Sequence, residues 1–158
     1  MAEHTIFDVA KWFVDKNGGK IGSKKLQKLC YYAQAWSYAL RDEAMFKGKF
    51  QAWVHGPVNK KLWNTFKDIA YRDITSNDFA ERSIELNPMT KVEDKFLERV
   101  WATYGAFSGY QLEELTHQEK PWLKQRKGLH PYESSSNIIT RRSMTEYYRE
   151  LLSQGGNT

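Results

Sequence analysis

Residues 23–41 read SKKLQKLCYYAQAWSYALR. Leu26, Leu29, Cys30, Ala33, Trp36 and Leu40 recur at the spacing of one helical stripe. Tyr31, Tyr32 and Tyr38 flank that stripe, so more than half of the circumference is apolar. A helix apolar this far round is enclosed by its neighbours rather than laid on a surface. The spacing therefore predicts a central core helix, opened by Ser23 as its cap.

Working outward, Ile6, Val9, Ala10 and Phe13 fall at i, i+3, i+4 and i+7, one face of a preceding helix. Thr5 and Asp8 suggest its cap, and Asn17-Gly18-Gly19 its stop. After the central helix, Phe50, Ala52 and Val54 alternate with Gln51, Trp53 and His55, the period of an extended strand. Gly56-Pro57 then predicts a turn, because proline fixes its own φ and biases the residue before it. A helix over about 59–70 carries Leu62, Phe66 and Ile69 on one face, with Trp63 extending it. The stretch 75–88 reads as irregular, with a brief strand at Ile84 and Leu86. Thr90 with Glu93 and Ser108 with Gln111 form capping boxes. The first opens a helix with Val92, Phe96, Val100 and Tyr104 on its apolar face, ended by Gly105. The second opens a short helix with Leu112 and Leu115. A further box, Ser143 with Glu146, lies inside a last helix over about 140–152.

The expected fold is mainly α: a compact single-domain bundle of about six helices, with a short extended segment or small β element after the second. One domain covers 1–153, and 154–158 forms a loose tail. At 158 residues the chain buries roughly 70 % of its unfolded surface, enough for a core without staples. Cys30 is the single cysteine, so no intramolecular disulfide forms. A free thiol suits a reducing compartment, and the N-terminus lacks the basic start and apolar run of a signal peptide. No run reaches the roughly 18 apolar residues of a membrane span. A cytoplasmic protein is expected, with no membrane partner.

Charge and motifs narrow the chemistry. The net charge of +5 is spread through 24 basic and 19 acidic residues, which favours an acidic partner without by itself meaning nucleic acid. His4, His55, His117 and His130 are scattered with no H-x-x-x-H pair, so no metal site is expected. Cys30 sits within the buried stripe, where a thiol stays neutral, which argues against a Cys–His nucleophile. There is no G-x-S-x-G, P-loop or G-x-G-x-x-G, so neither catalytic residues nor a cofactor are expected. A helix-turn-helix made by the first two helices, presenting Lys24, Lys25 and Lys28 to a groove, is an alternative. The girth of the second helix is too apolar for that role, and nucleic acid is not the expected partner. Trp53, His55, Trp63 and Trp122 leave more aromatic surface than such a core needs, and tryptophan and tyrosine anchor protein interfaces.

Three segments carry a family resemblance: Lys25-Leu26-Gln27-Lys28-Leu29-Cys30-Tyr31-Tyr32-Ala33, then Phe50-Gln51-Ala52-Trp53-Val54-His55-Gly56-Pro57-Val58, then Leu115-Thr116-His117 with Pro121-Trp122. In this order they resemble the Panacea domain of SocA-like antitoxins and prophage-associated proteins, over nearly the whole chain. The resemblance implies a non-enzymatic antitoxin of a type II-like toxin–antitoxin system, neutralising a cognate protein toxin encoded by the adjacent gene. It leaves open a second role as an adaptor delivering the toxin to an AAA+ protease. The runner-up is a DNA-binding regulator of a prophage or toxin operon, although the chain has no room for an added DNA-binding domain. Carried onto this sequence, the motif or toxin-binding positions are Gln27, Lys28, Tyr31, Trp53, His55, Gly56, Pro57, His117 and Trp122. Among the polar ones, Gln27, Lys28, His55 and His117 are either buried hydrogen-bond partners or contact residues, with the structural role favoured.

Overall fold

The computed structural model describes residues 3–155. Its α-helices are α1 (Ile6–Lys16), α2 (Ser23–Arg41), α3 (Lys60–Phe66), α4 (Ser76–Glu81), α5 (Lys91–Tyr104), α6 (Gly109–Thr116), α7 (Lys120–Arg126) and α8 (Arg141–Gly155). Five short strands are interleaved: β1 (Lys20–Ile21), β2 (Phe50–Trp53), β3 (Gly56–Val58), β4 (Ile74–Thr75) and β5 (Ile138–Ile139). One antiparallel sheet pairs β1 with β4; the other has the order β3-β2-β5. No helix among the described residues is long and apolar enough to cross a membrane.

The central position of α2 follows from its composition. Thirteen of its 19 residues are buried, and α1, α5, α6 and α8 pack around it. Tyr32 stacks on Tyr104 with ring centroids 3.9 Å apart, and Tyr31 meets Phe50 edge-on at 5.4 Å. Such pairs add about 0.5–1.5 kcal/mol each beyond the area they bury. The stripe loosens only toward its end, where Trp36 is half-buried and Leu40 is exposed.

Among the described residues eight helices stand where six were expected. The additional two, α4 and α7, lack an apolar period long enough to read. Helix α4 is set by polar bonds: Thr75 and Asp78 form a capping box, and the Arg72 guanidinium forks onto both Asp78 oxygens at 2.9 Å. Helix α7 carries Pro121 in its first turn and buries Trp122 and Arg126 four residues apart. The helix expected over 59–70 ends at Phe66 and tightens into a 3₁₀ turn, Lys67–Ile69. Ile84 and Leu86 join no strand; the pairing in this region belongs to β4.

Local signals also shift by a few residues. Gly22, not Ser23, is the cap of α2. At α8 the Ser143 N–H is received by the Thr140 hydroxyl at 3.1 Å, so the cap lies three residues before Ser143. On α5 Val92 is exposed and Leu97 is buried, which rotates the apolar face away from the expected one. Helix α8 continues through Gln154 and Gly155, and the rest of the expected tail, 156–158, lies outside the described residues.

One long-range link was invisible in the spacing. His4, buried at 7 % exposure, places Nδ1 2.8 Å from Asp8 and Nε2 3.0 Å from Glu93. It thereby ties the first turns of α1 and α5 together. Burial lowers its pKa, but the two carboxylates outweigh that and leave it raised.

Candidate functional site

The three motif segments converge on the β2–β3 hairpin. Strand register pairs Gln51 with Val58, Ala52 with Pro57 and Trp53 with Gly56, so the turn is Val54–His55 and not Gly56-Pro57. Gly56 leaves the turn at φ +107°, a conformation L side chains rarely adopt, and Pro57 continues the strand.

From the first segment, α2 presents Gln27 and Lys28 to the hairpin's returning arm. The Gln27 side-chain amide donates to the Asn59 carbonyl at 3.1 Å and accepts from the Asn59 N–H at 2.9 Å. Asn59 in turn caps α3 by accepting from the Leu62 N–H at 2.9 Å. One amide thus fixes where the hairpin ends and the next helix begins. Replacing it with leucine leaves a buried N–H and C=O without partners. Gln27→Leu is expected to lower unfolding free energy by about 2 kcal/mol, read from urea denaturation; an unchanged midpoint would refute the clamp.

Lys28 is buried at 2 % exposure and donates to the Pro57 carbonyl at 3.3 Å. Burial is the dominant influence on its amine, and lowers its pKa to about 7. Glu113 on α6 opposes that shift, while Lys24 adds to it. Glu113 itself pairs with Lys24 at 2.6 Å and with His55 at 3.3 Å. Glu113 thus links the Lys24 ammonium and the His55 imidazole beside the hairpin turn.

The third segment closes the other side. His117 stacks on Trp122 at 4.1 Å between ring centroids, 19° from parallel. Burial leads in lowering the His117 pKa, and its Nε2 is buried without a hydrogen-bond partner. The Trp122 indole donates to the Trp53 carbonyl at 2.8 Å, and Arg126 donates to the Ala52 carbonyl at 3.2 Å. The hairpin's backbone is thus held by side chains from α2 and α7.

A second polar cluster lies behind Tyr31. Glu119, buried between helices, accepts from Tyr32 at 2.8 Å and from Tyr148 at 2.7 Å, and the Tyr148 oxygen accepts from the Tyr31 hydroxyl at 3.2 Å. Burial raises the Glu119 pKa to about 7 against the opposing pull of the two hydroxyl donors.

Of the positions singled out in the sequence, Gln27, Lys28, Tyr31, Gly56, Pro57 and Trp122 are buried, Trp53 and His117 are half-buried, and His55 is open to solvent. All but Tyr31 meet at the hairpin, while Tyr31 belongs to the tyrosine–Glu119 cluster. Sequence reasoning missed Asn59, Glu113, Glu119 and Arg126. Their signal was weak: a polar residue next to a motif is legible only once its partner is in place. Cys30 is fully buried, and burial pushes its thiol far above its usual range, which removes it as a thiolate nucleophile. No group of three or more His, Cys, Asp or Glu residues that could hold a metal ion occurs among the described residues.

The three basic residues of the groove-reading alternative are engaged within the protein. Lys24 pairs with Glu113, Lys25 donates to the Gly105 carbonyl at 2.7 Å, and Lys28 is buried. The pair β1–β4 also occupies the connection between α1 and α2.

Buried polar side chains from α2, before the hairpin, and from α7, after it, thus grip its backbone. The chain belongs to the family of SocA-like antitoxins with a Panacea domain, whose profile matches residues 26–123. That range contains the second and third motif segments and all of the first but Lys25; α1 and α8, packed against α2, flank it. No curated protein and no solved structure is significantly similar to the chain.

Proposed function

We propose that this chain is an antitoxin that neutralises a cognate protein toxin by direct binding, with no enzymatic reaction of its own. Its family carries an antitoxin-type role, and one observation carries the reading further. The polar motif residues Gln27 and Lys28 are turned inward onto the hairpin backbone. The motif thus builds a rigid scaffold, and the surrounding surface is left to vary with the partner. The toxin is the product of the neighbouring gene, and the meeting place is the cytoplasm.

The test is co-expression. The neighbouring gene product alone should arrest growth, and this protein should restore growth and co-purify with it at fixed stoichiometry. Rescue without a complex would overturn direct binding in favour of transcriptional control or toxin degradation. A harmless, non-binding neighbour would remove the antitoxin reading for that pair.

A further inference from the structure

Two adjoining depressions share Gln51 and Lys60. One, of about 460 Å³, is lined by Lys47, Lys49, Lys60 and Lys61 beside Ile6 and Ile138. The other, of about 490 Å³, is bordered by Trp53, Val54 and the serines at 134–136. The lysines are two sequence-distant pairs, one leading into β2 and one opening α3, brought together by the hairpin between them. No aspartate or glutamate lines either depression. Among the described residues none of the four lysines belongs to an ion pair, although acids elsewhere pair freely with Lys11, Lys16, Lys24 and several arginines. Lys61 only approaches the Phe7 ring, at 5.8 Å. Lys47 also borders a neighbouring hollow with Glu3, Glu43 and Glu93, but Lys49, Lys60 and Lys61 do not, and like charges without an ion pair around an apolar-edged hollow repel one another until a group of opposite sign enters.

We propose that this lysine-lined hollow receives an acidic, partly apolar segment of the protein partner. The proposal rests on the reading of the chain as a protein-binding antitoxin. Charge complementarity sets the sign of the occupant, and the exposed Ile138 and half-buried Trp53 set its apolar share. Nucleic acid fits less well. No arginine, whose planar fork suits phosphate, lines either depression. The two tryptophans nearby are not free stacking platforms: Trp53 packs edge-on against Trp63 at 6.1 Å, and its indole donates to Gln51 at 2.8 Å. The cations also form one patch rather than a track along which a phosphate backbone could run.

The triple substitution Lys47→Glu, Lys49→Glu and Lys60→Glu changes only exposed side chains. It should weaken the complex with the toxin by about tenfold or more and abolish growth rescue, with an unaltered circular dichroism spectrum and urea midpoint. The control Lys91→Glu, Lys95→Glu and Lys127→Glu carries the same charge change elsewhere and should bind as the unaltered protein does. Equal binding by the first triple, or equal loss in the control, overturns the proposal while leaving a toxin-binding antitoxin intact. A second arm needs no toxin. A labelled peptide of alternating Glu and Leu should perturb the NMR amide signals of Lys49, Gln51 and Lys60. A single-stranded oligonucleotide of equal charge should do so more weakly. Preference for the oligonucleotide, or no peptide signal at these residues, overturns the proposal. If the unaltered protein neither rescues nor binds its neighbour, the antitoxin reading fails, and the peptide arm alone decides the fate of the hollow.

Discussion

Unfolding free energy is expected to pass through a minimum near pH 7 and to rise on both sides of it. Two buried groups set this shape with opposite signs. Glu119, with an ordinary value of 4.5, is raised by burial to about 7. Between those values the folded protein holds a proton that the unfolded chain releases, so stability falls as pH rises from 4.5 to 7. Lys28, with an ordinary value of 10.5, is lowered by burial to about 7. Between 7 and 10.5 the unfolded chain holds the extra proton, so stability climbs again as pH rises. At about 1.4 kcal/mol per pH unit spanned, the falling arm is worth roughly 3 kcal/mol and the rising arm roughly 5 kcal/mol. Other groups bound the profile. Glu93 and Glu113 are lowered, so stability drops again in acid below their ordinary values. Tyr31, Tyr32 and Tyr148 are raised, chiefly by burial, which turns the rising arm down above pH 10.

Urea denaturation at pH 5, 7 and 9 checks the shape. Glu119→Gln keeps an acceptor for Tyr32 and Tyr148 but cannot ionise, and should flatten the arm between pH 5 and 7. Lys28→Met should flatten the arm between 7 and 9. A maximum at neutrality in the unaltered protein would refute the assignment of both groups.

The second large effect belongs to Gly56. A methyl group there would sit 2.8 Å from Lys28 Cε and 3.0 Å from Thr116 Oγ1, on a backbone already at φ +107°. Backbone strain contributes about 1–3 kcal/mol and the overpacked contact a similar amount. Gly56→Ala is thus expected to cost about 3–4 kcal/mol in urea denaturation. Gly18 offers the comparison: its φ is +80°, but nothing lies within 4 Å of its added methyl. Gly18→Ala should cost only about 1–2 kcal/mol, the backbone share. Equal losses at the two glycines would show that the contact with Lys28 and Thr116 carries no weight. Because the offending neighbour is the far end of a flexible side chain, Lys28→Ala should return part of the loss in the double variant.

These predictions mark where the sequence was legible. The central helix was readable because an apolar stripe of six residues repeats along it, and all of Ile6, Val9, Ala10 and Phe13 on α1 are buried for the same reason. Capping boxes at Thr90 and Ser108 placed α5 and α6 well, since a cap is a local bond. Helix α4 escaped because its box, Thr75 with Asp78, is followed by one large apolar residue, Phe79, rather than by a period. The site was half legible. The three segments were visible as motifs, but their polar members have partners 29 to 87 residues away, as in Lys28 with Pro57 and Tyr32 with Glu119. Spacing along a chain says nothing about such pairs. The sense of Gly56 also changed: it was expected inside the turn, and the strand register places it just beyond, where lack of a side chain admits Lys28.

The burial of α2 has a consequence during synthesis. Its covering partners on α5, α6 and α8 are encoded well after it, among them the buried Tyr148, 107 residues beyond Arg41. At about 5–20 residues per second, the ribosome takes roughly 5 to 20 s to complete that cover. Throughout that interval the nascent chain carries a tyrosine-rich apolar helix with part of its girth unsheathed. Newly made molecules are therefore the population most open to chaperones and proteases, and a pause in translation before α8 would lengthen their exposure.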